Sequence, residues 1–322
     1  MEQKIKGLFI ICIALFFSAC EKKETPVRPY ERGGTSEVSI AMGDNYNYQI
    51  YFDLEKNEIV KIVDKLDWDM AIASADQAIV LNTSRNMLAA KTKFSQLDLV
   101  NDTVGLKFNM DYATGNRDSL SIGIVDNSKT VYVIWLGYDN SGHELGYMKA
   151  QFEWISSSTC KIIYGDLNSK QYRTGELTRD EKFNHVFYSF MRNENVSIEP
   201  SKTNYDLLFT QYLHYFLEPE ITPYLVAGAL INPYSTKANR MPNTQFKNIS
   251  LSDTIKFPLT GQNDIIGYNW KGFSLSQNTY TIVSNLNYII QDQKGFYYKM
   301  RFVDFYNEKG VKGTPKFEYG KI

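Results

Sequence analysis

The chain has 322 residues, 43% hydrophobic and 14% aromatic, and its 35 basic and 36 acidic residues leave a formal charge of −1. That much apolar residue suits one large all-β domain or two smaller ones. Lys and Arg are scattered rather than clustered, which excludes a nucleic-acid partner, because phosphate contacts need a basic face. The 23 Tyr fit the pleated, half-buried surface of a sheet and also surfaces that bind, since Tyr offers apolar area with a polar tip.

The N-terminus reads as an address. Lys4 and Lys6 precede an apolar run from Gly7 to Phe17, followed by Ser18, Ala19 and Cys20. Residues 1–19 therefore read as a signal peptide, too short to remain as a membrane-spanning helix. The ending Phe17-Ser18-Ala19-Cys20 resembles the lipobox of bacterial lipoproteins, with Phe17 where Leu is usual. The resemblance implies cleavage before Cys20, acyl chains of the palmitate type on that residue, and a membrane anchor. Glu21, in place of the Asp typical of inner-membrane retention, points to the outer membrane and the cell surface. Residues 20–45 carry Pro26, Pro29, Gly33, Gly34 and Gly43 without apolar periodicity, as a flexible tether would. Cys12 leaves with the signal, so Cys160 is alone in the folded part; it reads as a buried small hydrophobe without a disulfide.

Strand patterns dominate the body. Tyr46–Leu54 alternates apolar and polar residues, Glu55–Glu58 is a polar turn, and Ile59–Val63 is the return strand. Thr83–Phe94, with Met87, Leu88, Ala89 and Ala90, is the best candidate for a helix. Thr130–Leu136 is a continuous apolar run, as in a strand covered on both faces. Ile162–Tyr164, His185–Met191, Tyr280–Ser284, Tyr288–Gln291 and Phe296–Tyr306 read as further strands. Asp139-Asn140-Ser141-Gly142 is a hairpin turn. Pro219, Pro223, Pro233 and Pro242 predict that 218–243 is mostly loop around a short strand at Tyr224–Ile231. The fold class is all-β, an antiparallel sandwich or open barrel with long loops.

The chain also echoes itself. Trp68-Asp69-Met70-Ala71 returns as Tyr205-Asp206-Leu207-Leu208, and Leu81-Asn82 as Ile231-Asn232. Run backward from the aromatic-Asp pair, the match places Tyr51 on Tyr188, Phe52 on Ser189 and Leu54 on Met191, at one offset without a gap. Gly146–Phe152 and Gly295–Phe302 form a weaker pair. Such self-similarity predicts one structural unit used twice, as β units over 46–175 and 176–322.

No hydrolase, P-loop, zinc-protease or redox-cysteine motif is present, and none of His143, His185 and His214 neighbours a nucleophile in a recognisable context. A binding protein rather than an enzyme is expected. Tyr51-Phe52-Asp53-Leu54, Trp68-Asp69-Met70-Ala71-Ile72 and Ile79-Val80-Leu81-Asn82 together resemble the opening of the HmuY-like lipoproteins. Ile266-Gly267-Tyr268-Asn269-Trp270-Lys271, Tyr297–Phe302 and Gly313–Phe317 extend the resemblance to the C-terminus. It implies an all-β outer-membrane lipoprotein that captures haem and passes it to a TonB-dependent receptor.

In that family His or Met ligands follow the Trp-Asp-x-Ala strand, whereas Ala73-Ser74 and Thr210-Gln211 stand there in this chain. The resemblance then directs attention to His214, paired with Met241 as iron ligands or with Met87, in an apolar slot lined by Tyr212, Tyr215 and Phe216. The alternative is a surface lipoprotein that binds a glycan or a protein partner without haem.

Overall fold

Period-two alternation and closely spaced turns give a chain built almost wholly of strands. The computed structural model describes residues 34–216 and 222–322; the signal segment, Cys20 and the first part of the tether lie outside the described residues. The described part belongs to a compact unit, Gly33–Ile322.

In chain order the strands are β1 (Ser36–Ser39), β2 (Tyr48–Asp53), β3 (Glu58–Asp64), β4 (Met70–Ala73), β5 (Ile79–Leu81), β6 (Leu88–Lys91) and β7 (Tyr132–Trp135). Next come β8 (Tyr147–Trp154), β9 (Thr159–Asp166), β10 (Arg173–Thr178), β11 (His185–Ser189), β12 (Glu194–Val196), β13 (Leu207–Phe216) and β14 (Thr222–Ile231). The last six are β15 (Lys237–Pro242), β16 (Lys271–Ser274), β17 (Thr279–Ile282), β18 (Leu286–Gln291), β19 (Tyr297–Tyr306) and β20 (Lys312–Lys321). They form two five-stranded sheets, β10-β9-β8-β7-β6 and β1-β20-β19-β18-β15. Two four-stranded sheets, β12-β11-β4-β5 and β14-β13-β2-β3, and the ribbon β16-β17 complete the set. Among the described residues all pairings are antiparallel and no sheet closes into a barrel.

Alternation stacks these sheets. Ile50, Phe52, Leu207 and Phe209 face Tyr298, Met300 and Phe317 of one five-stranded sheet. Met70, Ile72 and Tyr188 face Ala150, Ile162 and Tyr164 of the other. The residues between them in sequence, Tyr51, Ala71, Phe187 and Leu208, turn the opposite way and meet Trp68 and Tyr205 in a middle cluster. The inner strands β2 and β4 are thus covered on both faces, and the middle cluster lies between the two four-stranded sheets. β7 is covered likewise, with Tyr132 and Ile134 in one cluster and Val133, with Val131 just before the strand, in another.

The echo in the sequence has a physical basis. Asn82 Nδ2 donates to the Lys65 and Trp68 carbonyls at 2.7 and 2.9 Å, and Asn232 Nδ2 to those of Lys202 and Tyr205 at 2.8 and 2.7 Å. β8 and β19, which carry the weaker match, are each the central strand of a five-stranded sheet. Two features correct the reading from sequence. The strand match slips by one residue: Asp69 N–H donates to Tyr188 O and Asp206 N–H to Phe52 O, both at 2.9 Å, so Phe52 stands where Tyr188 does. The halves also exchange strands, β4 pairing with β11 and β2 with β13, so hydrogen bonding does not break at 175/176.

Two elements differ from expectation. Thr83–Phe94 is not a helix. Asn82 accepts the Ser84 N–H at 3.2 Å to cap a single 3-10 turn, Thr83–Arg85, and Asn86 at φ 67° ends it in the left-handed region. Arg85 is drawn inward by Asp69, and Met87 and Ala89 then enter the core next to and within β6. Of the Pro-bearing stretch 218–243, Pro219 lies outside the described residues, and 222–243 holds more strand than predicted, because β14 is ten residues long and β15 follows it. Pro223 and Pro242 sit near strand ends, where a missing N–H costs little. Cys160 is a fully buried free thiol, pushed up to about 12 by burial, as expected of a core residue.

Candidate functional site

The hairpin β13–β14 carries the open aromatic surface of the second half. His214 lies opposite Tyr224 in its register, and Phe216 opposite Thr222. A third element reaches this corner. Ala229 and Gly267 exchange two backbone hydrogen bonds, of 3.0 and 2.9 Å. Gly267 has φ +71°, and a Cβ on Gly228 would meet the Gly267 carbonyl oxygen at 2.3 Å, so both positions require glycine. This close approach sets Tyr268 against the hairpin. Arg240 Nε, donating to Ile265 O at 2.8 Å, steadies the same segment.

The result is an aromatic cage around one imidazole. The His214 ring lies 4.8 Å from Tyr268 and 5.4 Å from Phe216, and Phe216 lies 5.8 Å from both Tyr224 and Tyr268. Phe216 and Tyr224 are 37% and 60% exposed, a concentration of apolar ring surface that marks a contact site. Partial burial lowers the His214 pKa below the ordinary histidine value; Asp264 opposes this and Arg240 adds to it. Burial thus favours the neutral ring, and neither nitrogen has a hydrogen-bond partner among the described residues. A neutral imidazole with a free nitrogen is what a metal centre requires.

The other predicted site residues do not share this arrangement. Tyr212 is buried, and its hydroxyl is held well above the usual pKa by burial and then by Asp264. Tyr215, adjacent to His214 in the strand, meets Tyr112 at 5.3 Å with the rings tilted. Met241 is fully buried with Phe246, Ile249 and Ile289. Met87 is fully buried in a different cluster, with Met70, Ile79 and Ala89. Exposing either sulfur would open a packed core, at about 2–5 kcal/mol on the scale of Met→Ala changes. Sequence reasoning missed Tyr224 and Tyr268 as site residues. Tyr268 lies inside the motif Ile266–Lys271, but nothing in its sequence neighbourhood connects it to His214.

The remaining histidines are engaged elsewhere. His143 closes the 139–142 turn, its N–H bonded to Asp139 Oδ1 at 2.8 Å, as the hairpin reading expects. His185 Nδ1 lies 3.7 Å from Glu199.

Stacked antiparallel sheets with a cluster of aromatic rings on one strand pair define an all-β protein. The chain belongs to the HmuY family: the family model described as HmuY protein matches residues 45–319. Among solved structures it is similar to apo PinO from Porphyromonas gingivitis, at 9% identity and a TM-score of 0.31, covering 90% of this chain and 98% of that one. It is also similar to the apo HmuY analogue of Tannerella forsythia, at 11% identity and a TM-score of 0.27, covering 91% and 98%. No curated protein matches the sequence.

Proposed function

We propose that this chain is a non-catalytic surface lipoprotein that captures haem at the His214 cage and yields it to a TonB-dependent receptor. The observation that carries the reading is His214 itself: half-buried, biased to the neutral ring, without a hydrogen-bond partner among the described residues, and set among Phe216, Tyr224 and Tyr268. Membership of the HmuY family supports haem as the ligand. These residues fit a haem held through a single protein ligand. His214 would hold the iron, and the three rings would cover apolar macrocycle surface. Met87 and Met241 do not fit as partners, because both are sealed in cores. An open site with one ligand suits a protein that must release its cargo as well as bind it.

The anchor completes the proposal. Cys20 would be lipidated on the outer membrane, with the tether holding the β unit clear of the bilayer. Mass analysis of the native protein would show an acylated Cys20 at the N-terminus, and an unmodified chain beginning elsewhere would remove the anchor from the proposal.

Haemin titration followed by absorbance tests the site. The wild type is expected to give a sharpened Soret band that His214→Ala loses. A band unchanged in a folded His214→Ala protein would move haem to another site. No spectral change in the wild type would discard haem and leave a glycan or a protein partner for the exposed rings.

A further inference from the structure

The seam between the two four-stranded sheets is not filled. A cavity of about 150 Å³ opens there, walled on its apolar side by Tyr51, Trp68, Phe187, Tyr205 and Leu208; Gln49, His185 and Glu199 also line it, the Glu199 carboxylate already accepting the His185 N–H at 2.7 Å and the Tyr205 hydroxyl at 3.4 Å. A cavity of that size has room for about one benzene ring. A more open hollow of about 390 Å³ has Lys65, Arg85, Tyr138 and Asn140 on its walls. Ser84 and Gln211 line both, so the apolar cavity and the polar hollow adjoin.

Lys65 is the group the fold leaves unexplained. It is 6% exposed, and its Nζ donates a single hydrogen bond, to Gln211 Oε1 at 3.1 Å. No carboxylate forms an ion pair with it among the described residues. A buried ammonium normally costs several kcal/mol unless it is paired and fully hydrogen-bonded. The other two buried lysines meet that requirement. Lys149 Nζ reaches Val100 O at 2.8 Å and the face of Tyr172, and Lys271 Nζ reaches Ala227 O at 2.5 Å and lies 4.2 Å from the Trp270 ring. Lys65 has neither a carbonyl nor a ring.

Arg85, 5% exposed, adds a second incomplete donor. Its Nη1 binds Asp69 and its Nη2 binds Leu136 O, but its buried Nε has no partner. Asp64 and Asp139 favour the charged amine of Lys65 from a distance, but neither forms an ion pair with it, and the acids on the wall of the hollow have donors of their own. Asp139 Oδ1 accepts the Ser141 and His143 N–H groups, both at 2.8 Å, and exposed Asp44 accepts the N–H of Asn45 at 3.0 Å.

We propose that this cleft is a second binding site, for a small amphipathic carboxylate. An aromatic or short acyl body would fill the cavity beside Trp68 and Tyr205, and the carboxylate would pass Ser84 and Gln211 to meet Lys65 Nζ and Arg85 Nε. The ligand would thereby supply the acceptor that these buried cations lack.

Calorimetric titration with 3-phenylpropanoate and with its neutral amide, 3-phenylpropanamide, tests the site. The acid should bind saturably and the amide about ten-fold more weakly or less, because the charge-assisted bond is gone. Lys65→Met should bring the acid down to the level of the amide. That substitution removes an unpaired buried charge, so the fold should survive it; if it does not, the comparison of acid and amide on the wild type still decides. No saturable binding of the acid, equal binding of acid and amide, or a preference undiminished in folded Lys65→Met would each overturn the proposal. Haemin is absent from the measurement, so its outcome is separate from that of the His214 site.

Discussion

Asp69 and Asp206 hold the same place in the two halves of the chain and face different partners. Each is almost fully buried, and each accepts a backbone N–H from the strand exchanged with the other half: Phe190 N–H to Asp69 Oδ2 at 2.7 Å, and Leu54 N–H to Asp206 Oδ2 at 2.8 Å. Asp69 is then paired with the guanidinium of Arg85, which also donates to Trp68 O. At the second position Gln293 takes the place of the arginine, its amide donating to Tyr205 O. One half closes its aromatic-Asp turn with an ion pair; the other uses a neutral amide and brings Asp53 and Asp292 close by.

That asymmetry makes Asp206 pH-sensitive. Burial, opposed by the Leu54 N–H and aided by Asp292 and Asp53, pushes its carboxyl up to about 7 from 3.8. With the folded value above the unfolded one, its contribution to stability is fully present below pH 3.8 and is lost as pH rises through about 7. Wild type should therefore weaken relative to Asp206→Asn as pH climbs across that window, with a slope on the order of 1.4 kcal/mol for each step of one in pH. Denaturant unfolding of both proteins at several pH values checks this, and parallel curves would refute it.

Arg85→Met should behave differently. It leaves the Asp69 carboxylate buried with only the Phe190 N–H to neutralise it, at a cost of about 3–5 kcal/mol. Adding Asp69→Asn should recover part of that loss, since the charge goes with its partner. Equilibrium unfolding of the single and double variants reads the coupling directly.

The turn aromatics carry packing. Trp68 meets Phe187 edge to face at 4.9 Å, as Tyr205 meets Tyr51 at 4.9 Å. Trp68→Ala should cost about 3–5 kcal/mol. Tyr205→Phe keeps the ring and removes only the hydroxyl contacts with Asn184 and Glu199, so about 1 kcal/mol is expected. Comparable losses in thermal or denaturant unfolding would contradict this division.

Alternation is enough to place Tyr297–Tyr306 as a strand, because it buries one face and period two shows in the residues themselves; Tyr48–Asp53 alternates in sequence too, although both of its faces are covered. The exchange of β2 and β11 between halves is not legible. It rests on contacts such as Leu54 with Asp206, far apart in the chain, and no local pattern encodes them. Met87–Ala90 reads as helix by composition, but Asn86 in the left-handed region overrides that preference. His214 can be singled out from its aromatic neighbours. Tyr268 cannot, since a glycine contact between distant strands brings it there. Met241 has the right chemistry for iron, and only packing reveals that it is sealed. Lys65, a charged residue in a turn sequence, gives no sign of its burial.

The His214 cage makes a prediction in which acid and packing separate. Partial burial lowers the histidine pKa, so the neutral, iron-competent ring persists below the ordinary value of 6.5. Haem retention by the wild type, followed through the Soret band on acidification, should fall with a midpoint below 6.5, where His214 protonates in competition with iron. Met241→Ala should leave that midpoint unchanged while lowering unfolding stability by about 2–5 kcal/mol, because Met241 fills a core and does not reach the site. If Met241→Ala shifts the midpoint or abolishes the band in protein that is still folded, Met241 is a ligand after all and the single-histidine site is wrong.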